Sequence, residues 1–459
     1  MVPQKTTKTI DACAPLNLGY LASYVLKFHP EIEIEIIDDY WQNIFNRICA
    51  LSPDIVGVTA TTPQVPSAYL LLKKIRLNNP SILTVMGGIH ASVMSNEALE
   101  YADVVVVGEG EKAFLKIVED LYIRNIKNQG IIEGETVENL DELPSPAFNL
   151  IDMKRYFQLL SFCGKKSPAI GITSSRGCPF RCKFCYNSFR KTKVRYFSAN
   201  RIVNEIEYFK NEYGISNVVF TDDDFLTNKE RLLNLLSEFE KRKMLGWVKW
   251  ACQARVQVIN ENILLLAKAA GCVRISSGFE NRNQRILSYL KNNTTTLQQQ
   301  DKAIQIAKKV GVTMGGSIIL GTPSETLQEM KNTIKWFEET PDVAFLGINN
   351  ITPYPGTPIW QLCQKNGLLP KDIDYEKLVS DNPRNAYVIN RTVDVTAYFR
   401  FFDDAIRLNW MYGQIRTNLG LKYFLSLSKL KTWWYILVFH PVKFAKMFRF
   451  TIIKGETIK

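Results

Sequence analysis

Long apolar runs are missing from this chain of 459 residues. No stretch approaches the roughly 20 consecutive apolar residues that a spanning helix needs, which excludes that class. Residues 1–10 are polar and hold no apolar targeting core, so a cytoplasmic location is expected. Histidine is scarce, with only His29, His90 and His440. Charged residues make up 22% of the chain against 46% hydrophobic ones, which excludes a disordered polymer and supports full-sized cores. Nine cysteines without a secretory leader point to a reducing compartment, with thiols for metals or cores rather than disulfides. The length asks for two or three domains.

The net charge of +12 is uneven. Residues 400–459 hold 11 Lys/Arg and 3 Asp/Glu, hence +8. A basic face spread over the whole protein is therefore not expected. The tail is left with nucleic acid or an anionic membrane surface as its candidate partners.

What is present centres on Ser174-Ser175-Arg176-Gly177-Cys178-Pro179-Phe180-Arg181-Cys182-Lys183-Phe184-Cys185-Tyr186-Asn187. Cys178, Cys182 and Cys185 stand at C-x3-C-x2-C spacing. Thiolates converging from one loop suit an iron–sulfur cluster, and three of them leave one iron of a 4Fe-4S cube open to another ligand. A zinc finger needs a second Cys/His pair downstream, and none appears. The remaining cysteines, Cys13, Cys49, Cys163, Cys252, Cys272 and Cys363, are scattered, so a second cluster is not expected.

Around this loop the chain alternates strand and helix. In the N-terminal part, helical spacing at 15–26 is followed by an alternating strand at 31–37. Strands are expected at 55–59, 83–86 and 104–107, with helices at 69–78 and up to 122. Continuous apolar strands joined by helices imply a doubly wound parallel sheet, with ligands at the carboxyl ends of its strands. Those ends carry Thr59, Gly87-Gly88 and Gly108-Glu109-Gly110. Residues 126–167 read as a linker with a short helix near 150–157. From 168 to 358, six βα units follow, with strands at 168–173, 217–221, 248–252, 273–278, 313–320 and 343–351. Six units make an incomplete barrel, whose reactive groups collect at the C-terminal strand ends.

The Cys loop, with Phe184 before its third cysteine, resembles the signature of the radical SAM superfamily. Val56-Gly57-Val58-Thr59, Gly87-Gly88-Ile89-His90 and Gly108-Glu109-Gly110-Glu111 together resemble the cobalamin-binding domain found ahead of many radical SAM barrels, over about residues 15–125. Pro353-Tyr354-Pro355-Gly356-Thr357-Pro358 is typical of that subgroup. The resemblance implies a 4Fe-4S cluster on Cys178, Cys182 and Cys185, S-adenosylmethionine chelated at its open iron, and cobalamin on the glycine turns. It implies SAM contacts from Asp222 or Asp223, from Glu280 and Arg255, from the backbone around Gly321, and from Tyr186 beside the adenine. The chain departs from the family in two ways. It has no Asp-x-His-x-x-Gly, so no histidine is expected beneath the cobalt. Residues 5–13 are polar where the family has its apolar first strand. The domain then either binds cobalamin or is vestigial and only packs on the barrel.

The implied organisation is a cobalamin-binding-like domain (1–125), a linker (126–167), a partial (β/α)6 radical SAM barrel (168–358) and a helical C-terminal region (359–459) with a helix at 394–419. The implied activity is reductive cleavage of SAM, followed by methylation of an unactivated carbon on a small-molecule or lipid substrate. Radical ring closure or oxidation, as in the anaerobic cyclase, is the alternative. A non-enzymatic cluster or corrinoid carrier is another. An electron donor such as flavodoxin or ferredoxin is expected, and nucleic acid is not. Nine aromatics interleaved with Lys and Arg between Tyr423 and Phe450 suggest a tail lying at a membrane interface, or a helical cap on the open barrel.

Overall fold

The computed structural model describes residues 14–38, 43–162, 165–189 and 193–416, together with Trp434, Leu437 and Val438. The chain divides into two compact units. One draws on residues up to 158, 175–205 and 352–379; the other on 159–174, 206–351 and the chain from 380 onward.

The first unit is built on a four-stranded parallel sheet in the order β1-β2-β3-β4. The strands are β1 (Ile55–Thr59), β2 (Leu83–Gly87), β3 (Val104–Gly108) and β4 (Gly130–Gly134). Helices Leu16–Phe28, Val65–Asn78 and Glu111–Tyr122 accompany them. Successive strand residues point to opposite faces, so a run such as Val104-Val105-Val106 needs a core on both sides. Both are present. Val105 and Met86 pack with Val65, Leu72 and Ile75 on one face. Val104, Val106 and Val85 pack with Ile117 on the other. Each buried side chain of this kind contributes about 1.5–3 kcal/mol.

The expected strand at 31–37 does not form; residues 33–38 carry no regular element and pair with no strand among the described residues. Their Glu/Ile alternation survives as exposed Glu33 and Glu35 against half-buried Ile34 and Ile36. Alternation reports which side faces the core, not whether a neighbour exists to pair with. The opposite difference occurs in 126–167. There β4 joins the sheet beside β3, and the expected helix near 150–157 is two 3-10 turns, Phe148–Leu150 and Met153–Tyr156. The first-strand question at 5–13, and Cys13 and Cys163, lie outside the described residues.

The second unit holds a seven-stranded sheet. It starts from β5 (Gln158–Phe162) and β6 (Lys165–Ile172). The short strands β7 (Ser175–Arg176) and β8 (Arg195–Tyr196) then pair with each other, antiparallel, within the first unit. The large sheet resumes with β9 (Asn217–Phe220), β10 (Lys249–Gln253), β11 (Cys272–Glu280), β12 (Thr313–Leu320) and β13 (Val343–Asn350). Its order is β13-β12-β11-β10-β9-β6-β5, with parallel pairing from β6 to β13. It is the open, curled sheet of a partial barrel. Helices Ala199–Tyr213, Lys229–Lys241, Glu261–Ala269, Leu297–Val310 and Leu327–Glu339 follow its strands in turn. Asn228, Asn260, Thr296 and Thr326 cap four of them through side-chain oxygens, which satisfies otherwise orphaned N–H groups.

Beyond the barrel, helix Val395–Arg416 buries Tyr398 and Phe402 and donates from Arg416 to the carbonyls of Val343 and Phe337. The aromatic tail lies outside the described residues except for Trp434, Leu437 and Val438, which are exposed. Among the described residues, no helix is long and apolar enough to cross a membrane.

Candidate active site

The Cys loop leaves β7 through Gly177, whose φ of +95° is the left-handed backbone that glycine adopts without strain. Cys178 and Cys182 are buried, Cys185 is half-buried, and none of the three is in a disulfide. The loop is folded on itself by Arg181. One of its guanidinium nitrogens donates to the carbonyls of Cys178 (3.0 Å), Phe180 (3.0 Å) and Asn187 (3.2 Å). The Cys185 N–H donates to Cys182 O, and the Ser188 hydroxyl donates to Cys185 O at 2.6 Å. Phe184 and Tyr186 are half-buried beside the third cysteine. Among the described residues, no three His, Cys, Asp or Glu gather closely enough to hold a single ion. Three thiols supplied by one loop are a donor set that fits a cluster with one iron left open.

In the same unit, the three turns stand side by side because their strands pair in parallel: Thr59 opposite Gly87 on β1 and β2, and Met86 opposite Val105 on β2 and β3. Gly88 has φ +95° and Gly108 φ +98°. A Cβ on Gly88 would come within 2.5 Å of the Thr59 Oγ1. Ser92, which the sequence reading did not single out, ties two turns together. Its buried hydroxyl donates to Gly88 O at 2.8 Å and accepts from Gly108 N at 3.0 Å. These turns fit a large ligand approached by bare backbone.

Glu109 does something other than line that rim with its side chain. Its carboxylate accepts from the Arg195 guanidinium and, at 3.1 Å, from the Val137 N–H, with Arg176 at 3.6 Å. Burial would raise its pKa, but these donors outweigh it and hold the group below the usual carboxylate range. Glu111 takes Arg176 at 2.7 Å. Arg176 lies on β7 and Arg195 on β8, the two strands that flank the Cys loop. The third glycine turn and the Cys loop are thus joined inside one unit by buried ion pairs. Gly356, at φ +80°, closes against Val93 and Phe189 in that unit, because a Cβ there would sit 2.6 Å from Val93.

The second unit collects the barrel's polar strand ends. Asp222 is buried and accepts from the Ser174 hydroxyl (2.7 Å), with Arg231 at 3.8 Å. Asp223 is exposed. The carboxylate with an oxygen to spare is Asp224: its buried Oδ2 has no hydrogen-bond partner among the described residues. Burial pushes its pKa up, against the opposing pull of Thr227 and Arg255. Arg255 donates to Thr294 Oγ1 at 2.8 Å and Thr295 Oγ1 at 3.3 Å. Glu280, at φ +57°, is paired with buried Lys291 at 2.6 Å. Gly321 has φ +85°, and a Cβ there would collide with the Tyr398 hydroxyl. Its N–H donates to Glu325 at 2.7 Å, as does Asn281 Nδ2 at 2.6 Å. Glu325 is fully buried, which raises its pKa to about 7. The sequence brings out Glu325 in Gly321-x-Pro323-x-Glu325 and Asp224 in its aspartate run, but not the role of either, and it does not bring out Lys291. A run of three aspartates does not say which oxygen is left over, and Lys291 meets Glu280 only because the chain between them turns back.

The sequence matches the radical SAM superfamily over residues 172–337 and the B12 binding domain over residues 11–118. It is 33% identical to an uncharacterized methyltransferase of Pyrococcus horikoshii, over 77% of this chain and 79% of that one. It is 29% identical to the anaerobic magnesium-protoporphyrin IX monomethyl ester cyclase of Rubrivivax gelatinosus, over 79% of this chain and 68% of that one. The fold is shared with OxsB, a cobalamin-dependent S-adenosylmethionine radical enzyme solved with aqua-cobalamin (TM-score 0.70, 17% identity, 96% of this chain and 70% of that one). It is shared too with the radical S-adenosylmethionine methyltransferase TsrM of Kitasatospora setae (TM-score 0.64, 18% identity, 80% and 75%).

Proposed function

This chain belongs to the radical SAM superfamily, in the branch whose barrel follows a B12 binding domain, and we propose that it is a cobalamin-dependent methyltransferase acting on an unactivated carbon of a small or lipid-like molecule. The architecture is that of an enzyme rather than a carrier. The observation that carries the reading is the brace between the two cradles: Glu109 and Glu111 of the glycine turn grip Arg195 and Arg176 beside the Cys loop. A catalyst using both groups needs them held in fixed register, and two buried ion pairs do that.

When bound, the cluster supplies the electron that cleaves SAM, and cobalamin supplies the methyl group. The residues divide the remaining work. Cys178, Cys182 and Cys185 hold the cluster in a loop stiffened by Arg181. Within the barrel unit, the spare oxygen of Asp224 would suit a ligand ammonium, and the Gly321 turn would suit a flat purine. Thr59, Gly88 and Gly108 would present backbone to cobalamin, and the chain lacks the family's Asp-x-His-x-x-Gly histidine. The methyltransferase similarity supports methyl transfer. A radical ring closure is the second reading, favoured by the similarity to the Rubrivivax cyclase.

The test is anaerobic reconstitution with iron and sulfide, then mass spectrometry of SAM products with and without methylcobalamin, using flavodoxin or ferredoxin as the electron donor. Cys182→Ala should lose both the cluster's visible absorbance and deoxyadenosine formation, while Cys363→Ala should keep both. Deoxyadenosine from Cys182→Ala at the parent's level sinks the assignment. Methyl transfer needs S-adenosylhomocysteine alongside deoxyadenosine; deoxyadenosine alone would favour ring closure. The exposed Trp434, Leu437 and Val438 support a tail at the membrane surface. Sedimentation with anionic liposomes at low salt should retain the full chain and release it as salt rises, and indifference to liposomes would remove that partner.

A further inference from the structure

We propose that the concave face of the barrel sheet ends in an anion subsite built on Arg274, and that the substrate carries a carboxylate or phosphate on an arm reaching it. The inference rests on the reading that the barrel interior receives the substrate. Arg274 sits on β11, and its guanidinium lies 4.1 Å from the centroid of the Phe345 ring on β13. Between them, on β12, is Gly315, where any Cβ would run into that ring. Arg274, Gly315 and Phe345 therefore share one face. The neighbouring Gly316 faces Phe279 instead, and the Phe279 ring packs 5.3 Å from Trp336 of helix Leu327–Glu339. That is the helix-covered face, so Arg274 points to the concave one.

Its surroundings there are apolar or small. In register beside Arg274 is Ala251, and beside that Val219. Both pack with Ala169 and Val273. Four other barrel arginines have acidic partners, Arg231 with Asp222, Arg242 with Glu207, Arg282 with Asp301 and Arg285 with Glu329, and Arg255 is held by Thr294 and Thr295. Among the described residues, the Arg274 guanidinium has no ion pair and no hydrogen bond, only the Phe345 ring. Burial alone lowers its pKa, with no acidic group pulling the other way. Arg274 is half-buried, a guanidinium partly drawn out of water gains when an anion joins it, and its planar fork matches a carboxylate or phosphate in two parallel bonds. Ser276, Gly315 and Ser317 leave width above it. Gly278, near the rim, is four residues further along β11, so the arm must descend about 13 Å at roughly 3.3 Å per residue. The Phe345 ring under the guanidinium favours a flat or apolar arm behind the charge.

The test is titration calorimetry of the full chain with octanoate, octyl phosphate and 1-octanol. The anions should bind at least tenfold more tightly than the alcohol, and the tighter of the two identifies the headgroup. Arg274→Gln should erase the difference and Arg274→Lys should restore part of it. Equal binding of octanol and octanoate, or an undiminished gap in Arg274→Gln, overturns the proposal. Should Arg274→Gln fail to fold, the parent's anion-to-alcohol ratio still decides. Deoxyadenosine formation by the reconstituted parent tests the earlier reading separately, so the two failures are distinguishable.

Discussion

Gly88 offers the sharpest test of the cobalamin cradle. Its backbone stands at φ +95° and ψ −171°, a region open essentially to glycine alone. Alanine there carries a backbone penalty of about 2 kcal/mol. Its Cβ would also meet Thr59 Oγ1 at 2.5 Å, which adds about 1 kcal/mol of overpacking. A loss of about 3 kcal/mol in a unit of this size lowers the melting temperature by roughly 9 °C. The two contributions separate in a double-mutant cycle. Thr59→Ala removes Oγ1, so the double variant should recover the overpacking part, about 1 kcal/mol, and keep the backbone part. Cobalamin retention should behave differently. A Cβ on Gly88 intrudes on the cradle whichever residue faces it, so both the single and the double variant should lose retained hydroxocobalamin at least tenfold. The assay is differential scanning fluorimetry, with absorbance of the desalted protein after incubation well below the melting temperature. A Gly88→Ala protein that melts within a degree of the parent and retains cobalamin equally refutes the cradle argument.

Two further expectations concern pH. Glu109 has a folded pKa below its ordinary value, so its contribution to stability is present at neutral pH and is lost as pH falls below the usual carboxylate range. Glu109→Gln should cost about 3 kcal/mol at pH 7 by stranding Arg195, and should flatten the acid limb of a melting-temperature profile; an unchanged profile refutes the brace. Glu325 has the opposite sign, its pKa raised to about 7. Its contribution is complete below the unfolded value near 4.5 and is lost as pH rises through 7, on the order of 3 kcal/mol in all. Melting temperatures from pH 5 to 8 should therefore fall more steeply in the parent than in Glu325→Gln, and parallel slopes would discount it.

Much of the architecture was written in local pattern. Apolar runs such as 104–107 and 313–320 demand burial on both faces, and in a chain alternating with helices that means parallel strands. The polar turns after those strands then fall at one end of their sheet, as Asp222 to Asp224 after β9 and Gly321 after β12 do. The Cys spacing itself is local, so the cluster loop could be recognised without any knowledge of packing. Tertiary structure decided which strands found partners and what each charged group does. Residues 33–38 keep their alternation yet join no ladder, while β4, in a stretch rich in turn residues, completes a sheet. Glu109 and Glu280 looked like ligand groups and are engaged by Arg195 and Lys291, 86 and 11 residues away. Asp224, rather than Asp222, keeps the unpartnered oxygen. A carboxylate's role depends on which cation the fold brings within about 4 Å of it, because Coulomb attraction and desolvation both act through space and not along the chain.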